Sequence, residues 1–257
     1  MYIDAVILFI FGTIGGSFLN ALAFRHNTGK SMWGRSACTS CGKVLRASDL
    51  VPVLSYIFLR GRCAACKTSI SLQYPTVESI GGILAVLCYG QTATPVEFVL
   101  SFGFFMLLLF IAVYDLRHTI IPDQFVYAAM FVALLSHGGL ESGVISLPSK
   151  DIFFGALLAV PLALMWLVSK GRAMGLGDAK LMIAIGVFLG FSSGLAALVL
   201  SFWIGAVVGL LLLFLSSKRT GTRVTMKSEV PFGPFLALGC AIAYFCHVTI
   251  DSLVLFF

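Results

Sequence analysis

Three aspartates lie where a carboxyl group could do chemistry at the edge of an apolar segment. Asp115 and Asp123 flank a short turn between two such segments, and Asp178 closes the Gly-Leu-Gly-Asp stretch at 175–178. A carboxylate near the C-terminal end of a helix faces the negative end of the helix dipole, so the position of Asp115 suggests function. For Asp178, a role as a helix N-cap explains the position as well as a chemical function does. Asp123 follows Pro122 at a helix start, so we favour a capping or supporting role for it.

A pair of aspartates can hydrolyse a peptide bond, and we predict that Asp115 and Asp178 form such a pair. Two carboxyl groups held close together share one proton. The ionised carboxylate takes a proton from an attacking water, while the protonated one donates to the peptide carbonyl oxygen. From the helix ends alone, we expect the charge on Asp178 and the proton on Asp115. Gly175 and Gly177 are expected to let a substrate strand approach the backbone closely.

Four cysteines form two C-x-x-C pairs, Cys38 with Cys41 and Cys63 with Cys66, separated by 21 residues. Two such pairs can complete a tetrahedral four-thiolate site, which is typical of structural zinc. The separation is slightly longer than is usual in zinc ribbons. Two disulfides are disfavoured because we place this segment in the reducing cytosol, and a redox pair is disfavoured because no βαβ pattern surrounds either motif.

The composition indicates that lipid is the main solvent of this chain. Of its 257 residues, 59% are hydrophobic and 11% are charged, and the mean hydropathy is +1.02. The apolar residues form blocks close to the length that crosses a membrane. We therefore predict an all-α polytopic membrane protein with about eight transmembrane helices and a small zinc-binding cytoplasmic loop domain. The predicted spans are roughly 4–24, 76–92, 96–114, 124–139, 151–169, 179–194, 196–215 and 233–254.

The basic residues predict the orientation of these spans. Of the 17 lysines and arginines, all but Lys150 fall on one side when the spans alternate. By the positive-inside rule, the N-terminus is outside and residues 25–75 are cytoplasmic, as are the membrane edges that carry the aspartates. This topology explains the net charge of +6 better than a nucleic-acid partner does. We predict a first transmembrane helix at 1–24, a four-cysteine loop domain at 25–75 and a seven-helix aspartic protease core at 76–257.

Several stretches together resemble the type IV prepilin peptidases, also called leader peptidase/N-methyltransferases. Besides the two C-x-x-C pairs, they are residues 15–20, 52–56, 60–63, 74–75 with Glu78, 115–123, 175–178 and 230–234. They follow the family order over nearly the whole chain, so the resemblance is specific. The family consists of membrane-embedded aspartic proteases with a G-x-G-D motif. The resemblance puts the catalytic aspartates at Asp115 and Asp178, with Asp123, Gly175 and Gly177 as supporting residues of the motifs.

The resemblance also implies a substrate and a second activity. The substrate would be a prepilin or pseudopilin of type IV pilus assembly or type II secretion, cut after a glycine at the cytoplasmic face of a bacterial inner membrane. The family also methylates the new N-terminal amine with S-adenosylmethionine, an activity that goes with the cysteine-bearing loop. From the residues themselves, Asp49 and Glu78 are possible acceptors for the basic leader of the substrate, although we favour for Glu78 the simpler interpretation that it marks the interface at the start of the second span.

Other classes of membrane protein fit the sequence less well. A transporter often has charges near mid-span and an internal repeat, whereas the charges here gather at one face. A zinc protease would need histidines spaced as in H-E-x-x-H, whereas the four histidines are scattered along the chain. A membrane methyltransferase without peptidase activity stays open, because no glycine-rich nucleotide motif supports or excludes it.

Overall fold

The computed structural model describes residues 2–28, 34–137, 149–172, 174–216 and 231–254. Some residues used above lie outside these ranges, namely Lys30, Lys218, Arg219, Arg223, Lys227 and Val230. Within the described ranges the regular structure is helical, apart from two isolated β-bridges. The all-α prediction is confirmed.

The described residues form nine α-helices and one 3-10 turn, Ala47–Leu50. The helices are α1 (Tyr2–Arg25), α2 (Leu54–Phe58), α3 (Gln73–Gln91), α4 (Pro95–His118), α5 (Asp123–His137), α6 (Ser149–Ser169), α7 (Leu176–Ser216), α8 (Gly233–Phe245) and α9 (Ile250–Val254). Four of them, α1, α4, α6 and α7, contain segments long and apolar enough to cross a membrane, while α5 and α8 are apolar but shorter. The chain therefore fits a multi-pass membrane protein, and the count of eight spans stays a prediction.

Helix α7 joins two segments that the sequence predicts as separate spans, 179–194 and 196–215. It runs for 41 residues and is interrupted only at Gly190, where φ is 74° and ψ is −179°. Glycine adopts such a conformation without the steric cost that a Cβ would impose. The break therefore falls at Gly190 and not at residue 195, where the apolar pattern places it.

The predicted last span, 233–254, is also divided in the structure. Helix α8 ends at Phe245 and α9 begins at Ile250. Between them, the backbone N–H of Thr249 donates to the Ser252 hydroxyl at 3.0 Å, and the N–H of Ser252 donates to the Thr249 hydroxyl at 3.4 Å. This reciprocal pairing is typical of a helix start, so a new helix begins inside an apolar stretch that looks continuous in the sequence.

The chain divides into two compact units, Met1–Phe98 and Val99–Phe257, each described by itself below. In the first unit, α1 packs on α3. Their contact depends on small residues, because a Cβ at Gly16 would lie 2.7 Å from the carbonyl oxygen of Val77 and 2.8 Å from Cα of Glu78. Small residues at such contacts let membrane helices approach closely. The division that the sequence predicts, at residues 24 and 75, was drawn where the chain is expected to cross the membrane, and it stays a prediction.

The second unit is built around α7, which contacts α5, α6, α8 and α9. Aromatic side chains link α4, α7 and α8. Phe104 stacks on Phe188 with ring centroids 4.0 Å apart, and Phe105 and Tyr244 both contact Phe188. The hydroxyl groups of Ser101 and Tyr244 are 3.3 Å apart. This packing brings together the three helices that carry Asp115, Asp178 and residues 233–234.

We expect Gly16→Ala to destabilise the first unit. The added methyl group would meet backbone atoms of α3, which cannot rotate away, so α1 and α3 must separate. Overpacking of this kind costs about 1–3 kcal/mol. The measurement is the thermal midpoint of the full chain in lipid nanodiscs. Gly90→Ala is the matched control in α3, because a Cβ there has open space and alanine favours a helix. Equal midpoints for the two variants would contradict the role of Gly16.

Candidate active site

Asp115 lies in the last turns of α4 and is buried, with 4% of its surface exposed. Its Oδ2 accepts a hydrogen bond of 2.9 Å from the backbone N–H of Gly233. Gly233 begins α8, so the N-terminal end of a second helix faces this carboxyl group. A helix N-terminus stabilises negative charge. The contact therefore offsets the unfavourable position of Asp115 at the end of α4, for which the sequence offered only a possible contact with Arg117 or His118.

Gly233 is a site residue to which sequence analysis assigned no role. A Cβ at this position would lie 2.7 Å from Oδ2 of Asp115, so a side chain would displace the carboxyl group or the helix. Pro234 follows it at the start of α8 and has no N–H to donate. The available signal was a glycine between two prolines, Pro231-Phe-Gly-Pro234, at the beginning of an apolar helix.

Asp178 lies in the first turn of α7 and is also buried, with 6% of its surface exposed. The charge of Asp115 acts on its carboxyl group, and the backbone of Gly175 hydrogen-bonds to it. Its Oδ1 is buried and has no hydrogen-bond partner among the described residues. A buried carboxyl oxygen without a partner is costly, which is a sign of a functional position. The structure thus buries both predicted aspartates in the second unit, near enough for the charge of one to act on the other.

The turn that precedes α5 packs against the start of α7. A Cβ at Gly177 would lie 2.8 Å from Cβ of Ile121, so the small size of Gly177 makes room for that side chain. Nearby, Nζ of Lys180 lies 2.8 Å from both carboxylate oxygens of Asp123. Asp123 therefore ties α5 to α7 through an ion pair, which is a supporting role. The close approach of a substrate strand stays a prediction for Gly175 and Gly177.

The four cysteines of the first unit form one cluster. The sulfur atoms of Cys38, Cys41, Cys63 and Cys66 all lie within 4.8 Å of one another, and those of Cys38 and Cys66 are 3.8 Å apart. Tetrahedral zinc with Zn–S bonds of about 2.3 Å requires sulfur atoms about 3.8 Å apart. The donor set and its spacing therefore fit a tetrahedral thiolate metal site.

Each C-x-x-C pair is held by a tight turn of the same form. The N–H of Gly42 donates to the carbonyl of Cys38 at 2.9 Å, and the N–H of Lys67 donates to the carbonyl of Cys63 at 3.1 Å. Both donors have a positive φ, 70° at Gly42 and 60° at Lys67. Glycine adopts a positive φ readily, so the turn at Gly42 has a signal in the sequence. The equivalent turn at Lys67 was not evident, because lysine rarely adopts this conformation.

Hydrogen bonds lower the pKa of two of the four cysteines and so favour their thiolates, which are the form that binds metals. Hydrogen bonding with Thr68 lowers the pKa of Cys66 to about 6. The backbone N–H of Cys41 is the main cause that lowers the pKa of Cys38. Desolvation and the neighbouring sulfur atoms of Cys38 and Cys66 raise the pKa of Cys41 to about 11, so the four sulfur atoms do not share one protonation state.

Glu78 is buried in α3, with 8% of its surface exposed, and does not face solvent. Its Oε2 accepts a hydrogen bond of 2.7 Å from the backbone N–H of Val53. The carboxyl group thus joins the loop before α2 to α3. This position fits an internal structural link better than the expected contact with a basic leader.

Comparison with known proteins matches both parts of the chain. Residues 10–92 match the bacterial peptidase A24 N-terminal domain, and residues 102–210 match the type IV leader peptidase family. Three relatives carry the name prepilin leader peptidase/N-methyltransferase. The Myxococcus xanthus protein is 33% identical over 89% of this chain and 69% of its own length. The Pseudomonas putida protein is 31% identical over 91% of this chain and 88% of its own length. The Bacillus subtilis protein is 30% identical over 98% of this chain and 96% of its own length. No solved structure matches the chain.

Proposed function

Since the chain belongs to the type IV leader peptidase family, we propose that it removes the basic leader from prepilins or pseudopilins and methylates the new N-terminus. The observation that carries the proteolytic half is the burial of two carboxyl groups, Asp115 and Asp178, in the second unit, where the charge of Asp115 acts on Asp178. The substrate leader would reach them at the cytoplasmic membrane face, and the cut would follow a glycine.

In the proposed reaction the two aspartates divide the proton transfers. One carboxylate takes a proton from water as the water oxygen attacks the scissile carbonyl carbon, and the other carboxylic acid donates its proton to the carbonyl oxygen. The peptide C–N bond then breaks as the aspartate that took the water proton passes it to the leaving amine, and a hydroxyl of the intermediate returns a proton to the other aspartate. Burial of both groups supports this scheme, because two neighbouring buried carboxylates resist carrying two charges.

We assign the ionised role to Asp115 and the protonated role to Asp178. The Asp115 carboxyl group accepts a hydrogen bond from the Gly233 N–H at the start of α8, and this contact favours the charged form of Asp115. Asp178 has an unpartnered buried oxygen, Oδ1, where a proton would find an acceptor on the neighbouring carboxylate or on the substrate. This assignment reverses the one expected from the ends of α4 and α7 alone, because α8 adds a third helix end.

The methyl-transfer half rests on the N-terminal domain match and on the names of the relatives. S-adenosylmethionine, when bound, would supply an electrophilic methyl group on sulfur. The residues of the chain would have to hold the N-terminal amine of the cleaved substrate against it in unprotonated form. The first unit is the place for this chemistry, because it lies outside the family match that contains both aspartates.

We propose that zinc occupies the four-cysteine cluster as a structural ion. Four thiolates close the coordination sphere and leave no position for a reacting water, which distinguishes structural from catalytic zinc. Over the described residues 34–72, the loop around the cysteines has few elements of its own, namely the 3-10 turn, α2 and two β-bridges. A metal would therefore supply much of its folding energy.

We also propose that the enzyme is a bacterial inner-membrane protein with its N-terminus outside. The distribution of lysine and arginine among the loops supports this orientation, with sixteen on the proposed cytoplasmic side and Lys150 on the other. The four-cysteine loop and both aspartates are then on the side where a basic prepilin leader stays.

Asp115→Asn and Asp178→Asn should each lower kcat for prepilin cleavage roughly a thousandfold or more, because each removes one of the two proton-transfer groups. The measurement is cleavage of a purified prepilin by the full chain in nanodiscs, followed by mass spectrometry. Asp123→Asn is the control at the same membrane edge and should keep most of the activity. Cleavage at the original rate by either of the first two variants would refute the mechanism.

Gly233→Ala should reduce kcat for cleavage by about ten- to a hundredfold, with little change in KM. The new methyl group would displace the Asp115 carboxyl group, and small errors in position are costly in catalysis. Gly103→Ala, in the same helix as Asp115 but with open space around the added Cβ, is the control and should behave as the original enzyme. An unchanged kcat in Gly233→Ala would mean that the contact with Asp115 has no catalytic value.

Cys63→Ser should lower the zinc content well below one ion per chain and make residues 34–72 sensitive to protease, because it removes the buried ligand of the cluster. Elemental analysis of purified protein gives the zinc content, and limited proteolysis reports the state of the loop. Cys246→Ser, an exposed cysteine outside the cluster, should leave both unchanged. A full complement of zinc in Cys63→Ser would argue against a four-thiolate site.

A further inference from the structure

The loop of the first unit exposes large apolar side chains that neither the aspartate pair nor the cysteine cluster uses. Over the described residues 34–72, they are Val44, Leu50, Val51, Leu54, Ile57, Phe58 and Leu72. Within α2, Phe58 is 81% exposed and Ile57 is 62% exposed, so neither side chain has a place in a core. Exposed apolar residues are ordinary when they are scattered singly, but a connected group of them indicates an interaction surface.

Four of these side chains form a connected surface, which we call the α2 face: Val51, Leu54, Ile57 and Phe58. Leu54, Ile57 and Phe58 follow the spacing i, i+3 and i+4, which puts them on one side of the helix. Val51, Leu54 and Phe58 also line the same open depression between the 3-10 turn and α2. An open apolar surface of this kind is suited to being covered by an apolar phase.

A buried hydrogen bond ties α2 to the predicted edge of the membrane. Val53 immediately precedes α2, and its N–H donates to Oε2 of Glu78 at 2.7 Å. Glu78 lies in the second turn of α3, where the predicted span 76–92 begins. Val53 has a φ of 59°, a strained value for a β-branched residue, which persists only where the surrounding structure imposes it. The start of α2 is therefore held at the level where the chain is expected to enter the bilayer.

Basic residues border the α2 face. Residues 25–75 contain eight lysines and arginines but only one acidic residue, Asp49. Arg46 comes directly before the 3-10 turn and Arg60 follows α2 by two residues, and both are exposed. An arginine can reach a phosphate group while its aliphatic stem lies along apolar surface. An apolar helix face bordered by basic residues is typical of segments that lie in the interface of a membrane with anionic lipids.

We propose that the α2 face docks on the surface of the membrane that α1 crosses. The apolar side chains enter the boundary between headgroups and acyl chains, and Arg46 and Arg60 contact anionic phosphate groups. The loop continues at both ends into α1 and α3, so the bilayer is always within reach, whereas a soluble partner would have to be recruited. The four-cysteine loop then lies along the membrane surface. This inference goes beyond the proposed function and does not depend on the proteolytic mechanism.

The direct test replaces Phe58 with p-benzoylphenylalanine, a photoreactive residue of similar shape. The full chain is placed in nanodiscs of phosphatidylethanolamine and phosphatidylglycerol and irradiated, and peptide mass spectrometry identifies the molecule attached at position 58. Because Phe58 is already exposed, the replacement leaves the fold intact. The matched control has the same replacement at Ser40, an exposed polar residue in the first C-x-x-C turn. Position 58 should give about fivefold more lipid adducts than position 40.

Amide hydrogen exchange tests the apolar and the charged contributions separately. Phe58→Ser should speed exchange of residues 54–60 about tenfold in the same nanodiscs, because one aromatic side chain no longer holds α2 in the interface. Val44→Ser, an exposed apolar residue outside the α2 face, is the control and should leave that exchange unchanged. Arg60→Gln should speed exchange in phosphatidylglycerol but not in phosphatidylcholine nanodiscs. Unchanged zinc content in each variant shows that the loop is folded.

Two results would overturn membrane docking. One is an equal yield of lipid adducts at positions 58 and 40. The other is an adduct at position 58 with protein in place of lipid, and a cross-link to added prepilin would then assign the α2 face to a protein partner. Prepilin cleavage by the original protein is measured in the same nanodiscs. Cleavage without lipid adducts would reject the docking surface alone, and lipid adducts without cleavage would reject the proposed function alone.

Discussion

Two carboxyl groups buried beside each other cannot both hold a negative charge at low cost, and the second unit is organised around that constraint. Asp115 and Asp178 come from α4 and α7, and each is almost fully removed from solvent. The helix N-terminus at Gly233 faces only one of them, so the pair is electrostatically unequal. This inequality gives each aspartate its own role in the proposed reaction.

The surrounding structure supports the pair through contacts that are short and geometrically demanding. Gly233 has no side chain because the Asp115 carboxyl group occupies the space. At Gly177 the absence of a side chain leaves room for Ile121, which lies against it. One turn further along α7, the ion pair between Asp123 and Lys180 joins α5 to α7. The aromatic contacts of Phe188 hold the same helices deeper in the unit. Small residues therefore set the geometry, and aromatic residues supply the apolar packing.

The first unit is stabilised differently. Its loop depends on local turns and on one buried hydrogen bond, between the Val53 N–H and Glu78, and not on a large core. Its two C-x-x-C turns bring four sulfur atoms together, and Glu78 joins the loop before α2 to α3. The two family matches fall on the two units in the same order, residues 10–92 on the first and 102–210 on the second. Such a division would let a methyl-transfer site and a proteolytic site evolve separate geometries within one chain.

The sequence alone determined those features of the protein that depend on residues close together in the chain. The apolar blocks predicted an all-α membrane protein, and the C-x-x-C spacing predicted the sulfur cluster, because each turn closes within a few residues. The aspartates stood out by their position at the edges of apolar blocks. Tertiary structure alone decided which helix ends meet. Gly233 is 118 residues from Asp115, and Lys180 is 57 residues from Asp123. These contacts depend on packing between helices, which residue spacing does not encode. They support our proposal that Asp115 carries the charge, the reverse of what α4 and α7 suggest by themselves.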